Sequence, residues 1–145
     1  MRFKKSIGLK FFLPLILLFF LSSCAGTGSK TKPIVSSNNS GNTNLFFARQ
    51  GGFIASAVLA KIEVNGIEIG KLGINEFTKF QVSKDFKIKV SGAGVGGFGM
   101  GTDSTSGIAN GENNFYIIGV KQGLFSTKFF INETTETGYN QVQWF

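Results

Sequence analysis

The sequence predicts an all-β fold, a single antiparallel β-sandwich of about seven strands, and three observations carry that expectation. Apolar and polar residues alternate over several short stretches of residues 45–145. Turn-forming residues recur about every ten positions, and no stretch holds a 3.6-residue apolar period for three turns. A sandwich of this kind is expected behind an amino-terminal signal and a linker, so the chain divides into residues 1–23, 24–44 and 45–145.

The first segment has the charge pattern of a secretory signal. Arg2, Lys4, Lys5 and Lys10 stand without an acidic neighbour, and Phe11 to Leu21 form an apolar run interrupted only by Pro14. About eleven residues fall short of the roughly 20 that cross a bilayer as a helix, and Pro14 would kink one. The run ends in Leu21-Ser22-Ser23-Cys24. This resembles the lipobox of bacterial lipoproteins, in which the cysteine thiol receives a diacylglyceryl group and the chain is cut just before it. The resemblance implies a lipid on Cys24 and a protein held at a membrane, with Cys24 an anchor rather than a nucleophile. Two or three acyl chains hold a domain stably where one does so only marginally. Residue 25 is Ala, whereas Asp there marks inner-membrane retention in the enteric members of that family, so an outer-membrane location facing the periplasm is expected.

Residues 25–44 are mostly Gly, Ser, Thr, Asn and Lys, with Ile34 and Val35 the sizeable apolar residues. Such a composition reads as a flexible tether, with a root-mean-square span on the order of 25 Å.

Strands follow from residue 45. Leu45-Phe46-Phe47 opens the body. Ile62-Glu63-Val64 and Ile67-Glu68-Ile69 flank Asn65-Gly66, the pair that suits a two-residue type I′ turn. That hairpin should set Val64 against Ile67 and Ile62 against Ile69, with Glu63 and Glu68 on the other face. Phe80, Val82, Phe86, Ile88 and Val90 alternate with polar residues across Ser83-Lys84-Asp85, which reads as a second strand pair. Phe115 to Ile118 is continuously apolar, as in a strand covered on both faces. Phe125 to Ile131 and Val142 to Phe145 complete the candidates. Twelve of the 17 phenylalanines lie beyond the signal and are expected to supply much of the core.

Composition excludes several chemistries. The chain has no histidine and one cysteine, so a Ser-His-Asp triad, histidine metal ligands, an internal disulfide and a cysteine zinc cluster are ruled out. Its net charge of +7 owes four positive charges to the signal; the remainder holds 11 basic against 8 acidic residues. Those lysines are dispersed along the strands, which argues against nucleic-acid binding. No metal or cofactor is expected.

Three clusters are candidates for function. Gly92 to Gly101 matches the dinucleotide pattern GxGxxG twice, but the dense glycine satisfies it automatically and no helix opens after it. A glycine-kinked or mobile loop is the plainer reading, and Gly92, Gly94, Gly97, Phe98 and Gly101 are the candidate contact residues toward a membrane or partner. Glu63 and Glu68, about 5 Å apart at Cβ, are the sharpest catalytic pair, as for a carboxylate-dependent hydrolase; a solvated surface pair is the alternative. Arg49, the one arginine beyond the signal, suits an anionic ligand or a structural hydrogen-bonded pair at the sandwich edge.

Taken in order, Leu45 to Arg49, the small-residue stretch Gly51 to Ala60, Val64-Asn65-Gly66, Ile69 to Leu72, Phe80 to Val90, Gly111 ahead of Phe115-Tyr116, and Gly123-Leu124-Phe125 resemble a family of small bacterial lipoprotein domains of unknown function, whose sandwich is similar to the PEGA-type surface module. The likeness departs at Lys84-Asp85, where Pro-Gly is usual, and in its glycine-rich 92–101 insertion. It implies an envelope location and a β-sandwich, and it carries no catalytic residues to transfer. The expected function is non-catalytic, structural or protein-interacting, with exposed strand edges, which can accept a partner's strand, and the 92–101 loop as the contact surface. A glycan- or lipid-binding module is the alternative.

Overall fold

The computed structural model describes residues 26–38, 41–52 and 56–142. Cys24 and the signal lie outside them. Eight strands form: β1 (Thr43–Arg49), β2 (Leu59–Val64), β3 (Ile67–Leu72), β4 (Phe77–Val82), β5 (Phe86–Ala93), β6 (Asp103–Gly107), β7 (Asn113–Gln122) and β8 (Thr127–Thr134). They build two four-stranded sheets, ordered β4-β1-β7-β8 and β3-β2-β5-β6, and the fold is an all-β sandwich. All pairs are antiparallel except β1 with β7. A five-residue helix α1 (Glu136–Asn140) follows β8.

Period-two patterning explains the main core. Leu45 and Phe47 of β1, Ile62 and Val64 of β2, Ile88 and Val90 of β5, Tyr116 and Ile118 of β7, and Phe129 and Ile131 of β8 turn inward between the sheets. The intervening residues of β1 and β7 face the other way, and there the sheet is covered too. Phe46, Ala48, Phe77 and Phe115 form a second cluster closed by Tyr139 and Val142. Phe46 stacks on Phe115 at 5.1 Å, and Tyr139 meets Phe46 and Phe77 edge-on at 6.0 and 5.9 Å. Burial on both faces is why β1 and the Phe115–Ile118 run read as unbroken apolar stretches.

The Asn65-Gly66 hairpin forms, with both residues at positive φ, 51° and 81°. Val64 pairs with Ile67 and Glu63 with Glu68, but a bulge between Ile62 and Glu63 sets Ile62 against Gly70 instead of Ile69. Ile69 is the extra residue and leans partly buried onto the core. The expected Phe80-to-Val90 strand pair is corrected. β4 pairs with β1 and β5 with β2, so residues 83–85 carry the chain from one sheet to the other. Both strands have inward apolar residues because they face each other across the core, a pattern that side-by-side pairing would also give. The candidate strand at Val142 begins in no strand, and residues 143–145 lie outside the described residues.

The segment expected as a tether lies on the body. Thr27 N–H donates to Lys71 O at 2.8 Å, and Ser29 exchanges two backbone hydrogen bonds with Phe77, of 2.9 and 2.8 Å. Farther on, the Asn113 amide donates to Ser36 O at 3.0 Å and the Asn38 amide to Gly111 O at 2.8 Å. Low hydrophobicity did not leave this stretch unpaired, because two sheet edges offered it backbone partners.

Candidate functional site

The pairing registers bring a defined set of residues to one end of the sandwich. The ends of β1, β3, β5 and β7 and the starts of β2, β4, β6 and β8 all meet there. Arg49 joins the two sheets at this end: its Nη1 donates to Val58 O and, at 2.7 Å, to Leu72 O. The guanidinium is 1% exposed and lies over the Phe129 ring at 5.5 Å. Burial lowers its pKa to about 10, against the opposing attraction of Glu76. It serves as an internal strut, inside the sandwich rather than at its edge. A pocket of about 190 Å³ beside it, walled in part by Ile74, Gly119 and Phe130, is smaller than the roughly 300 Å³ at which small-molecule sites begin.

Two seams between the sheets are closed here. On one side β3 lies beside β4, and Gly26 to Lys30 bridges them through Thr27 and Ser29. Glu76 anchors this bridge, accepting from Gly73 N–H at 2.7 Å and lying 3.3 Å from Lys30 Nζ. On the other side β6 lies beside β8, where Gly101 N–H donates to Thr127 O at 2.9 Å and Gly101 O accepts from Phe129 N–H at 3.0 Å. Asp103 adds a carboxylate acceptor for Ile131 N–H at 3.1 Å. All four sheet edges are therefore engaged at this end, where the sequence suggested open ones.

The glycine-rich loop is compact. Gly92 and Gly97 pack backbone to backbone, such that a Cβ on Gly97 would lie 2.6 Å from Gly92 C. Gly94 and Gly99 hold φ near +80°, flanking a 3-10 turn at Val95–Gly97, and Gly101 presses on Lys128. That geometry raises Val95 and Phe98 into solvent, 98% and 94% exposed. The β7–β8 turn does the same for Leu124 and Phe125, 95% and 100% exposed. Gly101 and Lys128 are bridged in parallel, so Phe98 and Phe125 each stand three residues back from the same point. Among the five candidate contact residues of this loop, Phe98 is the one that projects a side chain; the glycines shape the loop around it.

Glu63 and Glu68 are cross-strand neighbours, each with its own cation. Lys61 and Lys89 lie 3.5 and 3.8 Å from Glu63, and Lys71 lies 3.4 Å from Glu68. Paired in this way, the carboxylates form a charged ladder along the hairpin, with Glu63 the more buried of the two. Among the described residues, no three Asp, Glu, His or Cys side chains come together to hold a metal. No helix of the described residues is long and apolar enough to cross a membrane.

No family model, curated protein or solved structure matches the chain.

That Leu124 and Phe125 are exposed at the same end as Phe98 was not legible from the sequence, since Phe125 reads as the first residue of a strand. The Gly123-Leu124-Phe125-Ser126 turn, with glycine ahead of two large apolar residues, was the available signal.

Proposed function

We propose that this protein is a membrane-anchored bacterial envelope lipoprotein whose β-sandwich works without catalysis, as a structural or protein-interaction module. Leu21-Ser22-Ser23-Cys24 at the end of a short, basic-flanked apolar run carries the reading. Signal cleavage before Cys24 and acylation of its thiol and new amino group would leave the chain on a membrane, the outer one by the residue that follows. Lysine-paired carboxylates and an arginine buried as an internal strut support a non-catalytic body. The test is mass measurement of the mature amino terminus together with membrane fractionation, for the native chain and Cys24→Ala. The native chain should start at Cys24 with acyl mass, and the variant should lose that mass. A native chain that keeps Met1, or starts elsewhere without acyl groups, overturns the proposal.

Exposed aromatic side chains favour lipid as a second class of ligand. Phe98 and Phe125 stand at loop tips, away from the core they would otherwise fill.

A further inference from the structure

We infer that the Arg49 end of the sandwich is a membrane-docking face, with Val95, Phe98, Leu124 and Phe125 set into the bilayer interface. For the position of the chain entry this rests on the reading of Cys24 as the lipid-bearing residue. The exposed tips themselves are independent of it.

Three observations point to a lipid surface as the occupant. The first is where the chain comes from. Gly26 lies against Glu76 and Gly73 on the β3–β4 seam, two residues after Cys24, and two residues reach at most about 7 Å. A lipid on Cys24 would therefore hold this end, and not the opposite one, against the headgroups. The second is the shape of the tips. Four large apolar side chains protrude from two adjacent loops whose backbones are pinned by the Gly92–Gly97 contact and the Gly101 bridge, so they are presented outward as fixed tips. Across a four-stranded sheet of about 15 Å, one plane can touch both the tips and the seam that Gly26 enters.

The third is charge. Residues 94–101 and 121–128 contain Lys121 and Lys128 and no acidic residue. The two lysines are cross-strand partners below the Leu124-Phe125 turn, placed to meet anionic headgroups while the tips enter the apolar boundary. The acidic groups at this end are committed inward, Glu76 to Lys30 and Gly73, and Asp103 to the Ile131 and Ser104 amides. At the opposite end Ile67 and Ile108 are also exposed, but there Lys84 and Lys87 are outnumbered by Glu68, Asp85, Glu112 and Glu133. An anionic membrane would be repelled there.

The test places single tryptophans in the full chain, processed by the cell that makes it and reconstituted in vesicles of phosphatidylglycerol and phosphatidylcholine. Trp144, the one native tryptophan, is replaced by Trp144→Phe. Phe98→Trp, Phe125→Trp, Ile67→Trp and Ile108→Trp are then compared using phosphatidylcholine brominated on its acyl chains, with circular dichroism confirming the strand signal of each. Tryptophans at 98 and 125 should shift to the blue and lose at least half of their emission to bromine, and those at 67 and 108 should do neither. Equal, water-like emission at all four sites overturns docking, including the case in which these tips serve a protein partner instead. Mass measurement of the amino terminus on the same samples separates the two readings. Acylated protein with unquenched tips removes docking alone; unacylated protein with quenched tips removes the anchor alone.

Discussion

The Lys30 ammonium sits 3.3 Å from the Glu76 carboxylate, joining the amino-terminal segment to the turn between β3 and β4. The two partners contribute unequally. Lys30 is more than half exposed, so its Coulomb attraction is screened and Lys30→Ala should cost less than about 1 kcal/mol. Glu76 is buried, accepts the Gly73 amide and attracts the buried Arg49 guanidinium. Glu76→Ala leaves an amide unpaired and the guanidinium less compensated, and should cost about 2–3 kcal/mol. Urea unfolding of both variants measures the difference; equal costs would show that Glu76 acts only through Lys30.

Docking of residues 26–30 also depends on bare backbone. A Cβ on Gly28 would lie 2.4 Å from Leu72 Cδ2 and 2.8 Å from Glu76 Cβ. Gly28→Val should detach the segment from the β3–β4 seam while leaving the core between the sheets in place. Limited proteolysis should then cut within residues 26–38 at least several-fold faster, with little change in the strand circular dichroism.

The glycines at 92–101 separate into two kinds that a count of glycine cannot distinguish. At Gly97 an added methyl meets the Gly92 backbone, and neither can yield without moving β5, so Gly97→Ala should cost about 1–3 kcal/mol. At Gly94 the space is open and the penalty is the backbone alone, φ 80° with ψ 178°, a conformation essentially confined to glycine, at about 1–3 kcal/mol. Thermal unfolding should show both variants destabilised, Gly97→Ala through contact and Gly94→Ala through backbone conformation. An unchanged midpoint for Gly97→Ala would mean that the loop does not fold back on the end of β5.

How much of this was legible in the sequence follows from which forces act locally. The Asn65-Gly66 hairpin was read with its turn and its Glu63–Glu68 pairing, because turn chemistry and alternation are carried by adjacent residues. The Ile62 register was not, because the bulge at Ile62/Glu63 is fixed by how Ile69 and Leu72 reach the core. β6, Asp103–Gly107, is Asp-Ser-Thr-Ser-Gly, an edge strand with no apolar residue to betray it. It is held by β5 and by the Asp103 contact to β8. The amino-terminal segment was read as free from its composition, yet its partners are backbone groups of Lys71 and Phe77, which composition does not report. Within the 92–101 loop Phe98 was singled out from the sequence, whereas the Phe125 turn is brought to the same end by the Gly101–Lys128 bridge between distant stretches.

Tyr139 gives a test of the second core cluster. Its ring packs against Phe46, Phe77 and Phe115, and among the described residues its hydroxyl finds no hydrogen-bond partner. Tyr139→Phe keeps the ring and loses no bond, so stability should stay the same or rise by up to about 1 kcal/mol. Tyr139→Ala removes the ring that closes the outer face of the sheet, and should cost about 3–5 kcal/mol. A large loss in the Phe variant would show that the hydroxyl is bonded in solution.

The chain's two tyrosines, both buried, should lower stability as pH rises above 10, against an opposite contribution from Arg49, whose pKa is lowered to about 10. Burial pushes the Tyr116 pKa up to about 12, with Glu133 adding to the shift and the Asn114 hydrogen bond opposing it; burial raises Tyr139 as well. Both groups therefore hold their protons in the folded chain at pH values where the unfolded chain, with tyrosines near 10, has released them. At these two groups the folded state binds more protons in that window, so their contribution to stability falls as pH rises. The contribution of the tyrosines is fully present below pH 10 and, for Tyr116, is lost progressively between pH 10 and about 12. Tyrosinate absorbance should consequently appear together with loss of the strand signal, in one cooperative step. Tyr139→Phe should move that step to higher pH, since one of the two groups that drive it is gone. Tyrosinate forming gradually near pH 10 while the strands persist would place at least one of these rings in contact with solvent.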